Sequence, residues 1–163
     1  MPKNEGKIFE SSIKVSVPDT CWIYRLNDNA SSFSNGNRTR FTSSNICDYI
    51  VFDDLSKTLF LWEMKSTKST SIPLNMIRQN QIDGLHKASK HNLVAGFLFN
   101  FRNTDNETFF ININDFINMV NKLGKKSFNI KDLTNNNAVK IKSTKKRTRY
   151  TYDLENLIAV IHL

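Results

Sequence analysis

The sequence predicts an α/β fold in a single domain, and three observations carry that reading. Apolar, β-favouring runs alternate along the chain with stretches of helical periodicity. The 163 residues are 39% hydrophobic, enough to bury one sizeable core, and no internal repeat or composition break marks a second domain. Residues 46–66 hold two apolar runs joined by a polar turn, which reads as a hairpin.

The elements follow in order. Residues 4–16 read as a short amphipathic helix with Ile8, Phe9 and Ile13 on one face, ended by Pro18. Glu10 sits beside that stripe, where a solvated flank glutamate is the plain reading. Residues 20–26 form a first strand, closed by Arg25, which can pair with an acid or reach a phosphate. Residues 27–44 are polar, with Arg38 and Arg40 among asparagines and serines. Such a length is either a mobile arm that touches a nucleic-acid backbone or plain disorder. After the hairpin come a Ser/Thr/Lys turn over residues 67–73, whose Lys68 is a candidate nucleic-acid contact, and a helix over residues 74–89. That helix places Ile77, Gln81, Leu85 and Ala88 near one face, and Gln81 needs hydrogen-bond partners if buried there. Residues 93–101 are almost continuously apolar, as in a strand buried on both faces. A strand over residues 107–113 and a helix capped by Asn114 or Asp115 follow, with Gly124 as the stop. Residues 135–137 are a loop, the run from Lys140 to Arg149 is strongly basic, and residues 150–163 suit a helix or a strand.

A formal net charge of +8 favours an anionic partner. A membrane partner is disfavoured: no apolar run approaches a bilayer span and no basic amphipathic helix stands out. The N-terminus lacks the apolar stretch of a secretory signal, so a cytoplasmic location in a bacterial or phage-infected cell is expected. Cys21 and Cys47 lie in apolar runs and read as reduced core thiols. His86, His91 and His162 share no zinc-ligand spacing with them. Gly124-Lys125 lacks the upstream glycine of a phosphate-binding loop, and no G-x-G-x-x-G occurs, so no nucleotide cofactor is expected.

The chemistry gathers on the hairpin. Asp48 lies near the start of its first run, and Glu63 and Lys65 lie at the end of its second. Alternation sends Glu63 and Lys65 to one side of the strand and Trp62 and Met64 to the other. Two carboxylates beside a lysine on a buried scaffold suit metal-dependent phosphodiester hydrolysis, since magnesium takes oxygen ligands and keeps waters. Asp48, Glu63 and the main-chain carbonyl of Met64 are the candidate ligands, with Glu10 completing the set or holding a ligating water. Lys65 would place the water or neutralise the phosphorane. Asp53 and Asp54 compete for the role of Asp48, but they fall in the turn, where acids are commonplace.

The run Gly6-Lys7-Ile8-Phe9-Glu10, then Cys47-Asp48-Tyr49, then Trp62-Glu63-Met64-Lys65-Ser66 resembles the PD-(D/E)xK nuclease superfamily. The continuation Ser69-Thr70-Ser71-Ile72-Pro73-Leu74, with Ile77 and Gln81-Ile82, is similar to the RecU-type Holliday junction resolvases. That resemblance implies a restriction-endonuclease-like core with a mixed central β-sheet flanked by helices. It also implies magnesium dependence, with manganese as a substitute, and a homodimer that nicks two opposed strands of branched DNA. By it, Asp48, Glu63 and Lys65 match the catalytic acid, acid and lysine, Glu10 the helix glutamate, and Gln81 the glutamine after the catalytic strand. The proline-containing basic stalk of that family has no counterpart in residues 27–44, and the basic C-terminal segment, about 138–163, lies outside its pattern.

Lys140, Lys142, Lys145, Lys146, Arg147 and Arg149 form the densest charge run. Phosphate contact is the functional reading and a solvated face the plain one. Tyr150 and Tyr152 can stack on bases or pack in the core, the latter being favoured. Two other functions compete with junction resolution: a restriction-type or repair endonuclease acting on duplex DNA, and a non-catalytic basic DNA-binding module.

Overall fold

The computed structural model describes residues 4–26, 45–103 and 105–161. The arm expected over residues 27–44, with Arg38 and Arg40, lies outside the described residues. Ten strands, five α-helices and one short 3-10 turn are described.

Helix α1 (Glu5–Lys14) starts where the Asn4 side chain accepts the Lys7 N–H at 3.2 Å. Strand β1 (Cys21–Arg25) leads to the hairpin of β2 (Tyr49–Asp53) and β3 (Thr58–Thr67). Asp53 turns the hairpin by accepting the Ser56 N–H at 2.8 Å, and Asp54 pairs with Lys57. Both turn acids therefore serve the hairpin. Strand β4 (Ser71–Pro73), a 3-10 turn (Leu74–Met76) and α2 (Gln79–Ser89) follow. Then come β5 (Val94–Phe101), β6 (Glu107–Asn112), α3 (Ile113–Lys122), β7 (Ser127–Asn129) and α4 (Ile130–Thr134). The chain continues through β8 (Val139–Ile141), β9 (Ser143–Lys145), β10 (Tyr150–Tyr152) and α5 (Leu154–Ile161).

Six strands form one mixed sheet in the order β1-β2-β3-β5-β6-β8, antiparallel throughout except for the β3–β5 pair. The parallel pair requires a crossover, and α2 is its helix. The mixed sheet flanked by helices matches the expected architecture.

Alternation along the strands sorts the core into two layers. On one face Leu61, Phe97, Phe99 and Ile111 pack against Leu85 of α2 and Phe116 and Met119 of α3. On the other, Phe60, Trp62, Met64, Leu98 and Phe110 pack against Phe9 and Ile13 of α1 and Leu157 and Ile158 of α5. Strand β5 is buried from Ala95 to Phe101, as its continuous apolar run requires. Gly96 admits no side chain, because a Cβ there would meet the Ile111 carbonyl oxygen at 2.2 Å.

Three boundaries differ from expectation. The helix placed over residues 74–89 begins only at Gln79, because Ile77 is extended (φ −99°, ψ 120°) and drops its side chain into the core. Part of the expected 67–73 turn is strand β4, paired with β7. The third helix is capped by Asn112, whose side chain accepts the Asn114 N–H, and not by Asn114 or Asp115. Gly124 does end that region in the left-handed conformation, φ +57°. Residues 150–161 prove to be a strand and then a helix. Cys21 and Cys47 are both free thiols. Among the described residues no helix is long and apolar enough to cross a membrane.

Candidate active site

The site lies where β3 outruns β2. The β2–β3 register reaches Tyr49↔Trp62, whereas β3 stays paired with β5 as far as Thr67. The last main-chain bond on the β2 side runs from the Asp48 N–H to the Trp62 carbonyl at 3.0 Å. One step further on, the Asp48 side chain replaces the missing strand, its Oδ2 accepting the Met64 N–H at 2.7 Å. Peptide groups two residues apart on a strand point to the same neighbour. The Met64 carbonyl therefore also faces the gap beyond β2, beside the Asp48 carboxylate.

Glu63 stands on the same strand, with its side chain on the α2 face as alternation predicts. Its side chain is 3% exposed and that of Lys65 18%. Lys65 Nζ donates to Glu63 Oε1 at 2.7 Å, and Gln81 Nε2 donates to the same oxygen at 2.5 Å. Gln81 reaches Glu63 because it occupies the third position of α2, where its Oε1 accepts the Arg78 N–H at 3.1 Å. One amide thus closes the helix start and clasps the carboxylate, which satisfies both ends of a polar side chain on an apolar stripe.

Burial is the chief force on the acids. It pushes Glu63 up to about 7, the Asp48 charge adding to the shift while Lys65 and Gln81 oppose it. Asp48 is likewise raised, first by burial, with the Met64 N–H opposing and the Glu10 charge adding. Beneath them, burial pushes the Cys47 thiol up to about 12, so it is inert as a nucleophile.

Glu10 approaches from α1 but is held by Arg25, whose Nε and Nη2 both reach Glu10 Oε2 at 3.0 Å. Arg25 is therefore an acid's partner in this structure. Among the described residues no group of three or more His, Cys, Asp and Glu side chains is placed to hold a metal ion together. The oxygen donors at the gap are thus the two carboxylates, Asp48 and Glu63, and the Met64 carbonyl.

The expected nucleic-acid contacts divide. Lys68 is exposed just past β3. Lys140 lies on the α2–α3 face, paired with Glu107 at 2.5 Å and over the Phe109 ring. Lys142 is exposed, and Lys145, Lys146, Arg147 and Arg149 are carried by the β9–β10 hairpin on the opposite face. Tyr152 is core, its ring edge-on to Phe9 and its hydroxyl accepting from Asn106.

Sequence reasoning missed a buried polar chain next to the site. Ser66, which follows Lys65, donates to Asn100 Oδ1 at 2.9 Å and accepts from Arg102 Nε at 2.9 Å. Asn100 donates to Asn106 and Thr108, and Asn106 donates to Tyr152. The available signal was Asn100, an amide in the middle of an otherwise apolar strand, followed at once by Arg102.

Fold and site together define an α/β protein with a desolvated two-carboxylate, one-lysine centre at a split in a mixed sheet. The description "Recombination protein U" matches over residues 14–155, and the chain belongs to that family. The chain is 34% identical to the SPbeta prophage-derived uncharacterized protein YotM of Bacillus subtilis (strain 168), over 94% of this chain and 85% of YotM. A solved structure of Archaeoglobus fulgidus Hjc, a Holliday junction resolvase from an archaeal hyperthermophile, is similar at TM-score 0.43 and 12% identity. That match covers 69% of this chain and 78% of Hjc.

Proposed function

We propose that the chain is a magnesium-dependent endonuclease that resolves four-way DNA junctions by paired nicks, acting as a homodimer. The observation that carries this reading is the meeting of Asp48, Glu63 and Lys65 at the end of β2, with Glu63 clasped by Gln81. Membership of the Recombination protein U family supports a branched substrate.

The residues fit a hard divalent cation. All the donors at the gap are oxygens, and Glu63, raised to about 7, is a buried acid whose charge lacks full compensation in the protein alone. Magnesium bound there supplies charge at the scissile phosphate and acidifies an attacking water, and manganese shares the same ligand preference. Asp48 is kept in place by the Met64 N–H, and Glu63 by Lys65 and Gln81, so both carboxylates are aimed before any substrate arrives. Lys65, more exposed than Glu63, is the cation that would stand next to that phosphate and neutralise charge that develops on its oxygens. Glu10 holds Arg25 beside the gap.

Incubating the protein with a labelled four-way junction, a matched duplex and a flap, with magnesium, manganese or chelator, tests the reading. Symmetric paired nicks in the junction, dependent on the metal, are expected. Equal cutting of the duplex would make it a duplex nuclease, and tight binding with no cutting in any divalent metal would leave only a binding module. Sedimentation of the protein alone checks the dimer.

A further inference from the structure

The β9–β10 hairpin leans over α1, and the two enclose a cleft of about 370 Å³ on the sheet face opposite the carboxylates. Its cations are Arg102 and, from the hairpin, Lys145, Lys146, Arg147 and Arg149; its one carboxylate is Glu5. Among the described residues the four hairpin cations make no salt bridge, while Arg102 lies 3.8 Å from Glu5. Clustered positive charge without counter-charge costs stability unless an anion is taken up there. The cleft floor is built: Asn100 and Asn106 are both buried, and the hydrogen-bonded chain through Ser66 and Arg102 fixes the rim beside the strand that carries Lys65. Tyr150 lines the cleft, half-buried.

We infer that this cleft is a second DNA-backbone site, gripping the phosphates of a junction arm other than the strand being cut. The inference rests on the reading of branched DNA as substrate. Glu63 and Lys65 stand on the α2 face of the sheet and the cleft opens on the α1 face, so phosphates held in the cleft are not the ones that lie against Lys65. A branched molecule, whose arms diverge, presents a second run; a linear duplex on the cutting face does not. The contacts are to phosphate, so they add affinity without base preference.

The test measures binding to a four-way junction across salt concentrations in chelator, where no cutting intervenes. Neutralising Lys146, Arg147 and Arg149 together to Gln should weaken junction binding about tenfold and reduce the salt slope by about 2 to 3. Plain duplex should lose less. Glu5→Gln, which removes the cleft's carboxylate, should act in the opposite direction and tighten junction binding severalfold, an effect that a merely folding-related role of the hairpin would not produce. Lys122→Gln with Lys131→Gln, away from the cleft, serves as the charge control. An unchanged slope in the triple variant, or an equal loss in the control, overturns the inference. So does a triple variant that loses binding to phosphatidylserine vesicles while its DNA affinity stays intact. Junction binding that follows these expectations in a protein that cuts nothing would sink the nuclease reading and leave the cleft standing.

Discussion

Glu63→Gln separates the cost of a buried charge from the use made of it. The carboxyl rises from 4.5 in the unfolded chain to about 7 in the fold, chiefly through burial. A raised acid binds more protons folded than unfolded, so its contribution is fully present below pH 4.5 and is lost as pH rises through 7. At about 1.4 kcal/mol per unit, the metal-free protein gives up roughly 3 kcal/mol across that window. Asp48, raised for the same reason, acts in the same direction. Glutamine keeps the shape and still accepts from Gln81, and the attraction of Lys65 is already contained in the value of about 7, so the whole of that roughly 3 kcal/mol is recovered. The variant should therefore melt about 6 °C above wild type in chelator at pH 8 and close to it at pH 5. Magnesium should raise the melting temperature of wild type at pH 8 and leave the variant unmoved. Scanning calorimetry at both pH values, with and without metal, measures all of this. A wild-type melting temperature that is flat from pH 5 to 8 and indifferent to magnesium would refute the argument.

Other perturbations follow from the same geometry. Glu63→Ala and Asp48→Asn should abolish cleavage in a gel assay while junction binding, measured by fluorescence anisotropy, stays largely intact, because under the proposed mechanism the first removes a metal ligand and the second the charge of one, and neither removes a phosphate contact. Lys65→Met should lower the single-turnover rate by about a hundredfold or more with little effect on binding. Gln81→Leu should lower it by about tenfold to a hundredfold and push the alkaline requirement for cutting higher, read from a pH–rate profile, because Glu63 loses a donor that favours its ionised form. Gly84→Ala would bring a Cβ to 2.3 Å from Ile46 Cγ2, lifting α2 from the hairpin; a loss of about 1–3 kcal/mol by denaturant titration is expected, with recovery in the Gly84→Ala, Ile46→Ala double variant.

The hairpin was legible from its two apolar runs and the turn between them, and its sidedness from the alternation Trp62-Glu63-Met64-Lys65, where parity alone separates Trp62 and Met64 from Glu63 and Lys65. The central strand β5 was legible from its apolar continuity. The start of α2 was not: Leu74 and Ile77 continue the helical spacing, yet Ile77 enters the core from extended backbone, since a helical period and a buried turn can share the same apolar positions. Strands β4, β7 and β8 have three residues each, too few to carry a period, and exist through their partners. Gln81 could be singled out as a polar residue on an apolar stripe, but its clasp on Glu63 depends on the crossover that brings α2 over β3. The split of the basic run needed coordinates too, because the two sides of a sheet are one residue apart in sequence: Lys140 faces Glu107, while the hairpin beyond it faces α1.

Strand β3 has a neighbour on each side for half its length, and its odd and even residues belong to different trades. Inserting or deleting one residue there would send a tryptophan in beside Lys65 and a glutamate into the oil on the other face. Its length is consequently frozen. The tip of the basic hairpin carries no such parity constraint and can change its charge while Tyr152 at its base stays in the core. Charge at that tip can therefore be rewritten residue by residue while the strand beneath it stays as it is.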